Sequence, residues 1–105
     1  MPAPTSIEVV LVQPWTCSLD PITAALRAAG FDPVIKRVDI EPALDAALER
    51  KSIDLVIYDP ATIAISIDVV QQRMRSHRSP APLIVADDLS DLGERARQAL
   101  HAHSS

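Results

Sequence analysis

The segment Asp54-Leu55-Val56-Ile57-Tyr58-Asp59-Pro60 gives the clearest indication of the fold class. Its central Leu-Val-Ile-Tyr run is apolar without alternation and is rich in β-branched and aromatic side chains. A short run of this kind predicts a strand that is buried on both faces of a parallel sheet. The following Asp-Pro pair ends the strand, because such pairs favour a turn.

The same kind of apolar run recurs on both sides of this segment, with a helical pattern after each one. Strands are predicted at Ile7–Val12, Val34–Ile40, Asp54–Tyr58 and Leu83–Ala86. Since every strand is followed by a helix and the connections are short, the chain predicts one domain of four βα units. Such a series forms a parallel sheet with helices on both faces.

The helices are marked by caps and by apolar residues at helical spacing. In the first helix, Asp20 is the predicted N-cap, Pro21 the first helical residue, and Gly30 the left-handed residue after the end. The second opens at Pro42, and the last spans Asp91–His101. The apolar positions that predict inner helix faces are Ile22, Ala25, Leu26, Ala29, Leu44, Ala47, Leu48, Ile67, Val70, Met74, Leu92, Ala96 and Ala99.

Composition excludes several classes of protein. The chain has 105 residues, of which 48% are hydrophobic and only 3% aromatic, so it predicts a single, aliphatic core. A formal charge of −4 lacks the basic footprint of a nucleic-acid-binding protein. Cys17 is the only cysteine, which rules out an internal disulfide and a multi-cysteine metal site. No secretory signal or membrane-spanning apolar run is visible, so we expect a cytoplasmic protein without membrane contact.

Several segments, taken in order, resemble a response-regulator receiver domain. They are Leu26–Pro33 (LRAAGFDP), Arg37–Asp39 (RVD), Ala43–Leu48 (ALDAAL), Asp54–Asp59 (DLVIYD) and Ser79–Val85 (SPAPLIV). The resemblance extends from Ile7 to about His101. It implies a flavodoxin-like α/β fold, here (βα)4 with strand order 2-1-3-4, in which the family's fifth strand and helix are absent. It also implies that Asp59 stands at the family's phosphoacceptor position.

The chain departs from this family at the positions that support phosphorylation. Gln13 and Pro14 stand where the family has two acidic magnesium ligands, and Asp87 stands where it has Ser or Thr. The family's strand-five lysine has no counterpart, and the loop after Asp59 lacks the usual Pro-Gly turn. Because phosphoryl transfer depends on positioning and charge neutralisation, these departures predict a pseudo-receiver that is not an enzyme and works without phosphorylation.

Other roles for the same residues stay open. In the first alternative, a histidine kinase phosphorylates Asp59, with Mg²⁺ held by Asp59 and by Asp87 or Asp39. The opposing interpretation gives Asp59 a structural role only. It places Asp87 and Asp88 in a solvated acidic loop, where one of them helps to begin the last helix. A thiol enzyme using Cys17 is a reserve hypothesis, since a cysteine near a helix N-terminus can have a lowered pKa.

The fourth strand predicts an interface. With no fifth strand beside it, Leu83, Ile84 and Val85 would form an uncharged sheet edge, and such edges pair with other chains. We therefore expect a homodimer formed through this edge, or through the last helix and the uncovered core beside it. A protein partner is also expected, either a sensor kinase or an attached output domain.

Overall fold

Strands and helices alternate strictly along the chain in a computed structural model that describes residues 3–50 and 52–104. The four strands are β1 (Thr5–Val12), β2 (Phe31–Val38), β3 (Leu55–Tyr58) and β4 (Leu83–Val85). The four helices are α1 (Asp20–Ala28), α2 (Glu41–Leu48), α3 (Ile67–Ser76) and α4 (Leu92–Ser104).

The strands form one parallel sheet in the order β2-β1-β3-β4, as predicted. This is a flavodoxin-like α/β architecture with four strands in the described part of the chain. β1 pairs along its whole length with β2, and its second half also pairs with β3. In this register Val12 lies beside both Val38 and Tyr58, so the carboxyl ends of the three strands are level with one another.

The core consists of two apolar layers, one on each face of the sheet. Val10, Val12 and Val56 pack with the buried residues of α2 and α3 on one face. Val9, Leu11 and Ile57 pack with those of α1 and α4 on the other. Because successive strand residues point to opposite faces, an unbroken apolar run supplies both layers, and this explains the run in β3.

The bounds of β2 correct the prediction, because this strand begins at Phe31 and ends at Val38 instead of spanning Val34–Ile40. Pro33 lies within the observed strand. Thr5 N–H donates to Gly30 and Gln13 N–H donates to Val38, so the even-numbered residues of β2 bond to β1. Pro33 therefore faces the open edge of the sheet, where its missing N–H costs nothing.

The start of α1 also differs from the prediction. Asp20 is the first helical residue and Leu19 occupies the N-cap position, with no side-chain cap. The hydroxyl of Ser18 accepts a hydrogen bond from Asp20 N–H at 3.2 Å. The end of the helix is as predicted, because Gly30 has a φ of 95°, in the left-handed region that favours glycine.

The last helix, α4, lies against α1 on one face of the sheet. It runs from Leu92 to Ser104, slightly later than the predicted Asp91–His101, and Leu92 and Ala96 are buried as expected. None of the helices in the described residues has the length and apolar character needed to cross a membrane.

Candidate functional site

The sheet register brings three polar residues side by side at the carboxyl edge. Gln13, Asp39 and Asp59 each follow directly after the level strand ends Val12, Val38 and Tyr58. Ligand sites of open α/β sheets collect at this edge. The sequence placed these residues at strand ends, and the structure brings Gln13 and Asp59 into contact.

Gln13 bridges a cation and an anion beneath the surface. Its side chain is almost fully buried, with 2% of the residue exposed. Nε2 donates to Asp59 Oδ2 at 3.1 Å and to the Ser18 carbonyl at 3.2 Å. Oε1 accepts from Arg37 Nη1 at 3.3 Å. The amide thus uses both its donor and its acceptor, which a carboxylate at this position could not do.

Both carboxylate oxygens of Asp59 accept hydrogen bonds. Oδ2 accepts from Gln13, and Oδ1 accepts from Ala61 N–H at 2.8 Å. The backbone N–H of Asp59 donates to the Val12 carbonyl, continuing the ladder between β1 and β3 by one residue. These bonds give Asp59 a structural role at the start of the loop that leads to α3.

Arg37 is the residue that sequence reasoning missed. Its Nη1 donates to the Cys17 carbonyl at 2.7 Å as well as to Gln13. Its Cζ lies 4.2 Å from the centre of the Trp15 ring, a cation–π geometry. Its Nε is buried and makes no hydrogen bond with the described residues. The available signal in the sequence was a basic residue, Arg37, near the end of the second strand, and a tryptophan, Trp15, in the loop after the first strand.

Tyr58 and Thr62 hold the loop between β3 and α3 against the sheet. The Tyr58 hydroxyl lies 2.8 Å from the Ile65 carbonyl and 3.1 Å from the Thr62 carbonyl, and its single proton is shared between them. Thr62 Oγ1 donates to the Val12 carbonyl at 3.1 Å. Burial, and secondly the charge of Asp59, raises the pKa of the Tyr58 phenol above its ordinary value of 10.0.

Asp87 and Asp88 are engaged at the start of α4. Asp87 accepts from Arg95 Nη1 at 2.8 Å and is exposed. Asp88 accepts from the hydroxyl and the backbone N–H of Ser90, and these hydrogen bonds hold the pKa of its carboxyl below the usual value. No hydrogen bond in the described residues joins Asp87 to Asp59, and no group of three or more metal-ligating side chains forms there. The magnesium site on Asp59 and Asp87 stays a prediction.

Three loops enclose a cleft of about 300 Å³ at this edge. Trp15, Ile40 and Ile63 are exposed in the same loops, with 62%, 52% and 95% of their surface accessible. Cys17 is partly buried, and its thiol is free. The residues that line the cleft are Pro14, Thr16, Cys17, Asp39, Ala61, Thr62, Ile63 and Ala64.

The predicted interface residues lie on β4, which forms one edge of the sheet. Ile84 is buried in the layer beneath α1 and α4, whereas Leu83 and Val85 are partly exposed. The Pro82 carbonyl and the Ala86 N–H bond to β3. Since bonding alternates along a strand, the backbone groups of Leu83 and Val85 point to the open edge.

A comparison of the chain with protein-family models, with curated proteins and with solved structures returns no match.

Proposed function

We propose that this chain is a receiver-like interaction module of signal transduction that acts without phosphorylation of Asp59. The observation that carries the proposal is the bridge from Arg37 through Gln13 to Asp59. In a phosphoacceptor site a second carboxylate beside the aspartate holds the metal that neutralises the phosphoryl charge. Here that neighbour is a buried amide whose donor and acceptor are both in use.

Metal binding at Asp59 would have to break this bridge. A divalent cation that ligated Oδ2 would displace Gln13 Nε2 from its anionic acceptor, and the buried amide would lose a partner. A buried polar group that loses its hydrogen bond costs about 1–3 kcal/mol. The Gln13 carbonyl oxygen already accepts from Arg37 Nη1, so a cation bound to it would lie close to the positive guanidinium. The existing hydrogen bonds therefore favour the metal-free state.

Self-association through β4 is the form of interaction that we propose for the module. The backbone donors and acceptors of Leu83 and Val85 face the edge, and the three β4 side chains carry no charge that would block pairing. Two copies related by a two-fold axis would join their sheets along antiparallel β4 strands. A sensor kinase or an output domain remains a further proposed partner.

The competing hypothesis is a working phosphoacceptor. Asp59 directly follows Tyr58, the β3 residue that pairs with Val12 of β1. Because its side chain is partly exposed there, a small phosphodonor can approach it. This hypothesis predicts that Mg²⁺ binds and that acetyl phosphate labels Asp59.

Magnesium titration with tryptophan fluorescence tests the two hypotheses. Trp15 is the only tryptophan, and it stacks on the guanidinium that is linked through Gln13 to Asp59. A metal that displaced Gln13 would therefore alter its emission. We expect no saturable response to Mg²⁺ and no labelling by acetyl phosphate. A saturable response and labelling that both disappear in Asp59→Asn would overturn the proposal and establish the phosphoacceptor.

A further inference from the structure

We propose that the cleft at the carboxyl edge docks a peptide segment in which basic residues flank a bulky apolar side chain. This inference names the class of partner for the proposed interaction module and rests on that function. It is carried by two properties of the three loops, a set of exposed apolar side chains and an Asp39 carboxylate that has no partner among the described residues.

Trp15, whose chain neighbours Pro14 and Thr16 line the cleft, is held in its exposed position. Cys17 N–H donates to the Pro14 carbonyl at 3.0 Å, which closes a turn with Trp15 at its second position. Arg37 stacks on the indole and also bonds to the Cys17 carbonyl, so it supports the ring and the turn together. A tryptophan fixed before binding loses little conformational entropy when a partner covers it, and such residues dominate interface energies.

Two more apolar groups extend the surface around the cleft. Ile63 is 95% exposed, although the loop that carries it is anchored by Tyr58 and Thr62. Ile40 is exposed on the neighbouring loop, directly after the cleft residue Asp39. Exposed isoleucine and tryptophan side chains clustered around a concavity are typical of protein-interaction sites. A volume of about 300 Å³ is at the lower limit for small-molecule pockets, which favours a peptide side chain as the occupant.

The charge of these loops favours a cationic partner. Residues 13–19, 39–40 and 59–66 contain two carboxylates and no Lys, Arg or His. No residue within 3–50 and 52–104 forms a hydrogen bond or an ion pair with the Asp39 carboxylate, which lines the cleft. Asp20, Glu41 and Asp68 in the first turns of α1, α2 and α3 offset the positive helix ends that point to this edge.

Arg37, two residues before Asp39 in the chain, forms no ion pair with it. Arg37 donates hydrogen bonds to the Gln13 side chain and to the Cys17 carbonyl, and its guanidinium stacks on the Trp15 ring. Arg27 lies in the last turn of α1, and Arg50 and Arg78 follow the ends of α2 and α3, toward the amino edge of the sheet. Arg73 is paired with Glu41 and Asp45. A lysine or arginine of a partner would therefore meet an Asp39 carboxylate that is unpaired within residues 3–50 and 52–104.

Two synthetic peptides of the same apolar pattern test the proposal. One alternates leucine with lysine and the other alternates leucine with glutamate. We expect the Leu/Lys peptide to shift the amide resonances of residues 15–17 and 61–64 in a saturable way. The Leu/Glu peptide should bind at least tenfold more weakly, and added salt should weaken the Leu/Lys complex.

Single substitutions with matched controls measure how much Trp15 and Asp39 each contribute to peptide affinity. Trp15→Ala should weaken Leu/Lys peptide binding by tenfold or more, as expected of an interface anchor. Asp39→Asn should weaken it by about two- to fivefold, as expected of one exposed charge pair. The controls are Val34→Ser, which removes an exposed apolar group from β2, and Asp32→Asn, which removes an exposed charge from the same strand. Both should bind the peptide as the unsubstituted chain does.

Each contrary outcome overturns the inference in an identifiable way. Equal binding of both peptides would mean an apolar surface without charge selection. Absence of a saturable shift with the Leu/Lys peptide, or shifts centred on β4, would mean that this cleft is not the docking site. Loss of self-association in Asp39→Asn would identify a second copy as the occupant. Labelling of Asp59 by acetyl phosphate would overturn the proposed function but would leave the peptide result as it stands.

Discussion

Gln13 shows how one side chain sets the chemistry of the carboxyl edge. It accepts from Arg37 with one end of its amide and donates to Asp59 with the other. An amide is neutral, so it links the two charges without adding a third. A carboxylate at this position would accept from Arg37 but would repel Asp59, and the two acids together would present the oxygen ligands that Mg²⁺ prefers.

Gln13→Glu is therefore expected to create magnesium binding. In the absence of metal, the free energy of unfolding should fall by about 1–3 kcal/mol, because Asp59 loses a donor and gains a like charge. Added Mg²⁺ should recover part of this loss. Urea unfolding with and without Mg²⁺ measures both effects. Gln13→Leu is the control, since it removes the same hydrogen bonds without adding a ligand; recovery of this variant by Mg²⁺ would contradict the explanation.

Tyr58 predicts how stability responds to alkaline pH. Burial and the charge of Asp59 raise the pKa of its phenol above 10.0 in the folded protein. The folded state therefore keeps the proton longer than the unfolded state. The resulting stabilisation is fully present below pH 10 and is lost as the pH rises through the folded-state pKa.

The Tyr58→Phe variant separates the effect of the Tyr58 phenol on stability from that of the other groups that titrate at alkaline pH. At neutral pH the variant should lose about 0.5–1.5 kcal/mol of stability, because the carbonyls of Thr62 and Ile65 lose their shared donor. Above pH 10 its unfolding free energy should fall less steeply than that of the unsubstituted chain. Urea unfolding at a series of pH values provides the comparison. Identical slopes for the two proteins would show that Tyr58 does not titrate as argued.

At the scale of elements, the closest packing is between α1 and α4. Gly93 lies in the first turn of α4, and a Cβ at this position would come within 2.7 Å of the Ala25 carbonyl oxygen and 2.8 Å of the Ala29 Cβ. Both atoms belong to the rigid end of α1, so neither can move aside alone. Glycine is therefore required by helix contact, and not by a turn as at Gly30.

Gly93→Ala should destabilise the protein although alanine favours helix formation. The added methyl group forces α4 away from α1 and strains the packing around Leu92, at a cost of about 1–3 kcal/mol. Thermal or urea unfolding measures the change. Gln98→Ala on the exposed face of the same helix is the control and should be close to neutral. A Gly93→Ala variant more stable than the parent would mean that the two helices are not packed this closely.

At the scale of the whole molecule, the two edges of the sheet differ. β2 presents Pro33 to the open edge and carries the charged residues Asp32, Lys36 and Arg37. Proline and charge both discourage strand pairing. β4 has neither. The proposed self-association is therefore assigned to the β4 edge.

Val85→Pro tests this assignment with little effect on the fold. The Val85 N–H points away from β3, so proline removes a donor from the edge without removing a bond inside the sheet. We expect sedimentation velocity to show a concentration-dependent dimer for the parent chain and a monomer for Val85→Pro. Val34→Ser on the opposite edge should dimerise as the parent does. A parent that stays monomeric at high micromolar concentration, or a Val85→Pro variant that still dimerises, would contradict the β4 edge.

The amino-acid sequence determined the order and the type of the elements. Apolar runs and helical spacing are local patterns, and they sufficed to place four strands, four helices and the parallel arrangement. The errors were at element ends, as at Pro33 and Asp20, where the outcome depends on which edge a strand occupies or which neighbour supplies a cap. Local pattern does not contain that information.

Only the tertiary structure decided which polar side chains meet. Arg37 lies 24 residues from Gln13, and Asp59 lies 46 residues from it, so no sequence spacing joins them. The register of β1 with β2 and with β3 brings them to one level of the sheet. Asp87 follows the same kind of strand end, yet it pairs with Arg95 instead. Residue types and the succession of strands and helices follow from local sequence patterns, whereas hydrogen-bonded partners at a sheet edge depend on register and side-chain reach.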